Sequence, residues 1–177
     1  MNNIYLVGFM GTGKTAVGKE LAERKKWRFV DLDYLIELRE KRLITDIFAK
    51  EGEPYFRRAE KRALKEVAKE KKFVVACGGG IVINPENIQT MKESGIVICL
   101  TAKPEVILKR TSRCVHRPLL NVKNPEKQVE LLLKLRAPYF AQADKIIDTS
   151  LVSVKEVADK ILRMVAVKSG YTRRKDG

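Results

Sequence analysis

Short apolar runs alternate with longer amphipathic stretches along the whole chain. Residues 4–7 form a strand-like run that stops at Gly8, and helix formers occupy residues 10–23 after a glycine-rich turn. A second short strand is predicted at 29–31, followed by a helix over 34–41 that directs Leu35, Ile36 and Leu38 at a core. Thr45 and Asp46 offer capping side chains for a further short helix. Glu53-Pro54 then opens a long helix to residue 70, with proline in the first turn, where its missing N–H is not needed. Residues 73–76 and 96–100 predict two buried strands, and Asn84-Pro85 opens a helix between them. Helices over 104–110 and 125–140, a last strand at 146–147 and an amphipathic closing helix over 154–167 complete the series.

Strands alternating with helices imply right-handed crossovers and a parallel sheet covered on both faces. The expected fold is α/β, a three-layer α/β/α sandwich around a five-stranded parallel sheet, built as one domain over residues 1–168. Residues 111–124 are polar, basic and broken by proline, which suits a mobile lid, and 169–177 form a flexible tail. Ligands of such sheets bind beyond the carboxyl ends of the strands, so the residues just after each strand carry the chemical interest.

The first of these segments, Gly8-Phe9-Met10-Gly11-Thr12-Gly13-Lys14-Thr15, matches G-x-x-x-x-G-K-[ST] between a predicted strand and a predicted helix. Its glycines let backbone N–H groups point at phosphate oxygens, and the helix N-terminus adds positive potential. ATP is therefore expected on Gly11, Thr12, Gly13, Lys14, Thr15 and Ala16. Lys14 is expected at the β- and γ-phosphates, and the Thr15 hydroxyl on Mg²⁺. This places the fold in the P-loop NTPase class but leaves the phosphate acceptor open.

Asp31 and Asp33 end the second strand one residue apart, so extended geometry would point both side chains to one face beside the phosphate loop. One carboxylate there can sit near Mg²⁺ while the other takes a proton from a substrate hydroxyl; the same pair also suits a helix cap. Arg57 and Arg136 either lie on exposed helix faces or grip a carboxylate through paired hydrogen bonds. Gly78-Gly79-Gly80 directly follows a strand and allows close backbone approach to a ligand. In the basic loop, Arg117 is placed to close over a transferring phosphate, and His116, the single histidine, leaves no partner for a His-based pair or a multi-histidine metal site.

Composition narrows the setting. With 45% hydrophobic and 33% charged residues, 177 residues can sustain a core without disulfides. Cys77, Cys99 and Cys114 are odd in number and widely spaced, as reduced cytoplasmic thiols are, and no apolar run reaches the roughly 18 residues of a membrane span. A cytoplasmic monomer without a membrane partner is expected. The net charge of +14, from 36 Lys+Arg against 22 Asp+Glu, favours anionic ligands, although runs such as 57–72 mix both signs as a solvated helix face does.

Taken in order, GFMGTGKT at Gly8, DLD at Asp31, FRRAE at Phe56, CGGG at Cys77, RPLL at Arg117 and LRAPYF at Leu135 resemble the shikimate kinase family. This family belongs to the nucleoside-monophosphate-kinase-like branch of P-loop proteins, and the resemblance covers residues 4–150. It implies transfer of the ATP γ-phosphate to the 3-hydroxyl of shikimate, a step toward chorismate and the aromatic amino acids. By resemblance Lys14, Asp33 and Arg117 are catalytic, and Asp33, Arg57, Gly79, Gly80 and Arg136 bind shikimate. Thr15 and Asp31 serve Mg²⁺, and Arg110 and Arg117 join the ATP site, Arg110 near adenine. Two positions depart from the family pattern: Cys77 stands where threonine or serine is common, and no proline follows Asp148 in the adenine loop. Rival readings are a kinase of another small hydroxy acid such as gluconate, and a nucleic-acid-binding ATPase suggested by the charge. The chain lacks a recognisable nucleic-acid-reading motif, so no nucleic-acid partner is expected.

Overall fold

In a computed structural model, residues 2–112 and 124–171 are described. Five strands, β1 (Asn3–Val7), β2 (Arg28–Asp31), β3 (Phe73–Ala76), β4 (Gly95–Thr101) and β5 (Lys145–Asp148), form one sheet in the order β2-β3-β1-β4-β5. Every neighbouring pair is parallel. The intervening helices are α1 (Lys14–Lys25), α2 (Leu32–Glu40), α3 (Ile44–Lys69), α4 (Pro85–Ser94), α5 (Pro104–Thr111), α6 (Pro125–Phe140) and α7 (Val154–Tyr171).

The central strand shows why the sheet is buried on both sides. Ile4 and Leu6 point to a core shared with Val17 and Leu21 of α1 and Val157, Ala158 and Ile161 of α7. Tyr5 and Val7 point to the opposite core, with Ala63 and Leu64 of α3 and Met91 of α4. Alternation with period two therefore feeds two apolar layers, which is why the strands read as continuous hydrophobic runs.

Several expectations shift in detail. Helix α2 begins at Leu32, directly after the strand, and buries Leu32 and Ile36; Leu38 is 63% exposed rather than in the core. Thr45 and Asp46 do not cap the next helix, which starts at Ile44 after an extended Leu43. Its first amide donates instead to Glu37 Oε1 of α2 at 3.0 Å, so a tertiary cap replaces the local one. The expected break before Pro54 falls at Gly52, whose φ of 77° and ψ of 173° lie outside helical space, and α3 kinks there. A single 3-10 turn, Ile81–Ile83, follows the glycine triplet. Asn124 caps α6 through its side chain, and α7 continues to Tyr171, into the expected tail. Most of the 111–124 segment, including Arg117, lies outside the described residues.

Candidate active site

Five segments meet at the carboxyl edge of the sheet: the phosphate loop after β1, the turn from β2 into α2, the glycine triplet after β3, and α3 and α6 from either side. Gly13 caps α1 with φ of 97° and no side-chain bond, so the first-turn amides of Lys14, Thr15 and Ala16 face outward as a phosphate cradle does. Lys14 Nζ donates to the carbonyls of Gly8 and Phe9, both at 2.9 Å, which holds its ammonium over the loop. Thr12 is buried and donates to the Phe9 carbonyl at 2.8 Å, so its side chain shapes the loop rather than facing a ligand.

Asp31 and Asp33 come together, but not as two residues of one extended strand. Asp31 is the cap of α2 and accepts from the Asp33 amide at 3.2 Å, while Asp33 sits in the first helical turn. The chain changes from strand to helix between them, which overturns the shared-face argument. The other oxygen of Asp31 accepts from Thr15 Oγ1 at 2.9 Å. Two hard oxygens side by side at the rim of a phosphate cradle fit Mg²⁺, which takes few protein ligands and keeps phosphate and water oxygens. Among the described residues no group of three or more His, Cys, Asp or Glu would hold a metal ion.

Asp33 Oδ1 is buried without a hydrogen-bond partner and looks at Gly78, where a Cβ would stand 2.7 Å away. Burial, reinforced by the charge of Asp31, lifts its carboxyl to about 6 against the pull of Lys14 and Arg57. The same glycine faces a residue that sequence reasoning passed over. Glu60 of α3 is 1% exposed, and its Oε1, also without a partner, would lie 3.1 Å from a Cβ on Gly78. Burial raises it to about 7, although Arg57 pulls the other way. A signal existed: position 60 falls within the buried stripe Phe56, Ala59, Ala63, Leu64 and Val67 of α3.

Arg57 donates to Glu60 Oε2 at 2.8 Å and to Glu53 Oε1 through Nε and Nη2 at 3.0 and 2.9 Å. Its guanidinium fills the space a side chain at Gly80 would need. Arg136 projects from α6, 5.7 Å above the Phe9 ring, with Nη1 against Gly79. Burial and repulsion from Arg57 hold its pKa below the ordinary arginine range. Among the described residues no carboxylate lies within ion-pair distance of Arg136. Lys14, Thr15, Asp31, Asp33, Arg57, Gly79, Gly80 and Arg136 are thus linked through successive contacts. Arg110 reaches the phosphate loop from α5, donating to the Gly11 carbonyl at 3.3 Å.

Chemically, a phosphate cradle lies beside a buried carboxylate and two guanidinium groups. The sequence pattern of the family described as shikimate kinase matches residues 10–166. The chain is 45% identical, over the full length of both, to a shikimate kinase of Thermoanaerobacter pseudethanolicus. In structure it is similar to shikimate kinase from Acinetobacter baumannii in complex with shikimate, with a TM-score of 0.89 and 41% identity over 95% of this chain and 94% of that one. A gluconokinase from Sinorhizobium meliloti is similar in fold alone, at 15% identity and a TM-score of 0.62 over 99% of this chain and 98% of that one.

Proposed function

The chain belongs to the shikimate kinase family, and from that premise we propose that it transfers the γ-phosphate of ATP to the 3-hydroxyl of shikimate, giving shikimate 3-phosphate and ADP on the route to chorismate and the aromatic amino acids. The observation that carries this reading is the pair Arg57 and Arg136. Two partly buried guanidinium groups repel each other across the glycine turn, and one has no carboxylate partner among the described residues. The carboxylate of an acidic substrate supplies the missing charge through paired hydrogen bonds.

With the acid held there, Asp33 orients the ring hydroxyls and its carboxylate accepts the 3-hydroxyl proton as the oxygen attacks the γ-phosphorus. The bond to the β-phosphate oxygen breaks and ADP leaves. The cradle at 11–16 holds the phosphates, Lys14 meets the developing charge, and Arg110 adjoins the nucleotide. Arg117, outside the described residues, carries its role by resemblance alone. Mg²⁺, held by Thr15 and Asp31, supplies charge neutralisation on the phosphates when bound. Transfer of this kind needs alignment and electrostatic stabilisation more than covalent help.

We read residues 1–168 as one kinase domain with a lid at 111–124, acting as a cytoplasmic monomer. Among the described residues no helix is long and apolar enough to cross a membrane. The test is ADP release with Mg·ATP and shikimate, beside gluconate and a control without acceptor. Shikimate-dependent release is expected. Release with gluconate alone would replace the substrate, and release without acceptor would make the protein an ATPase.

A further inference from the structure

The segment after β5 contains a buried hydroxyl that the reaction does not use. Thr149 is 3% exposed, and its polar atoms meet three other parts of the nucleotide site. Oγ1 lies 3.0 Å from the Thr12 carbonyl of the phosphate loop and 3.0 Å from the Thr101 carbonyl at the end of β4. Its own amide donates to that same Thr101 carbonyl at 2.9 Å. From α5, Arg110 donates through Nη1 to Oγ1 at 3.0 Å and through Nη2 to the Thr149 carbonyl at 2.7 Å, while Nη1 also reaches Gly11.

A hydroxyl has one proton and two lone pairs. Here the lone pairs receive Arg110, and the proton is directed at the carbonyls of Thr12 and Thr101. The side chain is spent on protein partners and hidden from solvent, so it touches no nucleotide and acts only through what it holds. The apex of the phosphate loop also packs on α5, where a Cβ on Gly11 would stand 2.9 Å from the Thr111 methyl, so loop and helix meet closely beside the Arg110–Thr149 contacts.

We propose that Thr149 is a positioning residue of the nucleotide site, its hydroxyl fixing the phosphate loop at Thr12 and the Arg110 guanidinium in one register with the end of β4. The inference rests on reading the phosphate loop as an ATP site, but not on the identity of the acceptor. It is therefore tested on the full chain by titrating Mg·ATP calorimetrically without acid, which separates its failure from that of the proposed reaction.

Valine matches threonine in shape and removes only the hydroxyl. Thr149→Val should weaken Mg·ATP binding about tenfold, the scale of one or two lost buried hydrogen bonds. The KM for shikimate should stay within about twofold, and Thr149→Ser, which keeps the hydroxyl, should bind ATP close to the parent value. ATP affinity unchanged in Thr149→Val overturns the proposal. So does an equal loss in Thr149→Ser, which would make the methyl group responsible, or an equal loss of acid affinity, which would mean general disorder. Should Thr149→Val not fold, Thr149→Ala removes the same hydroxyl without adding bulk. Weakened ATP binding there supports the proposal, and unchanged binding overturns it.

Discussion

Asp33 and Glu60 show how two carboxylates on neighbouring elements divide the work of one site. Both turn an unpartnered oxygen toward Gly78, yet only Asp33 feels the charge of Lys14 in the phosphate loop, which is why the substrate proton is proposed to go to Asp33. Asp33→Asn keeps the shape and removes the base, and turnover should fall about a hundredfold or more while the Tm at neutral pH is no lower than the parent's, because the buried charge is gone. Near-normal turnover in a steady-state assay would remove that role. Glu60 makes a different prediction, on stability. Its folded pKa of about 7 exceeds the ordinary 4.5, so the folded chain binds the extra proton in between. That contribution to stability is complete below 4.5 and is lost as pH rises through about 7. Asp33 acts in the same direction in the lower window between 3.8 and about 6. The Tm without nucleotide should decline from acidic to mildly alkaline pH, and Glu60→Gln should flatten the upper part of that decline. An unaltered slope would place the proton elsewhere. Glu60 was hard to see in the sequence because RRAEKR has the charge mixture of an exposed helix face. Its position in the apolar stripe of α3 was the one local signal, and its carboxylate meets the Gly78 turn, which is distant in sequence, whereas Lys14 and Thr15 were legible because their motif is local and contiguous.

At the scale of elements, the glycine triplet was read as room for a ligand, and its neighbours add a second reason for it. Gly80 has φ of −96°, a conformation any residue adopts, so its lack of a side chain matters for space rather than flexibility. The space is taken by the Arg57 guanidinium, which Glu53 and Glu60 pin in place and which cannot swing away freely. Gly80→Ala should therefore displace Arg57, raise the KM for shikimate about tenfold or more and leave the KM for ATP unchanged, on the scale of a disturbed charge-assisted contact. Equal effects on both substrates would mean a wider rearrangement. Gly52 presents the opposite case. Its φ of 77° kinks α3 in open space, with only Pro54 Cδ nearby at 3.6 Å, so the penalty of a side chain there is conformational. Gly52→Ala should lower stability by about 1–2 kcal/mol, read by urea unfolding, without altering either KM. The boundaries around α2 and α3 were the least legible parts of the fold. A cap supplied by Glu37 from the preceding helix leaves no local mark at Thr45 or Asp46, and Leu38 is apolar without being buried because α2 has only one covered face.

For the whole molecule, the alternating pattern announced five parallel strands, because a sheet buried on both faces needs uninterrupted apolar runs such as Tyr5 to Val7 and Ile96 to Leu100. The strand order was not available from that pattern, since it depends on which crossover packs on which face. Net charge is likewise a property of the whole surface, and +14 does not by itself distinguish nucleic acid from a small anion. The arrangement of α3 helps decide. Arg58, Arg62, Lys65 and Lys69 lie on its exposed side, and Arg62 is shared with Glu40 while Arg39 of α2 pairs with Glu66. Arg57 alone of this run turns inward to Glu60 and the Gly80 turn. The outer charge is thus mixed, and the inner charge faces the site proposed for two anionic substrates. Long-range attraction of this kind is screened as the Debye length shrinks from about 14 Å to about 4 Å between roughly 0.05 M and 0.5 M salt. Over that range kcat/KM for shikimate should fall severalfold, while kcat, which reports groups already in contact, changes less than about twofold. A parallel fall in kcat would mean that salt acts on the bound complex. Stimulation of acceptor-free ATP hydrolysis by duplex DNA at the low-salt end would assign the surface charge to nucleic acid instead.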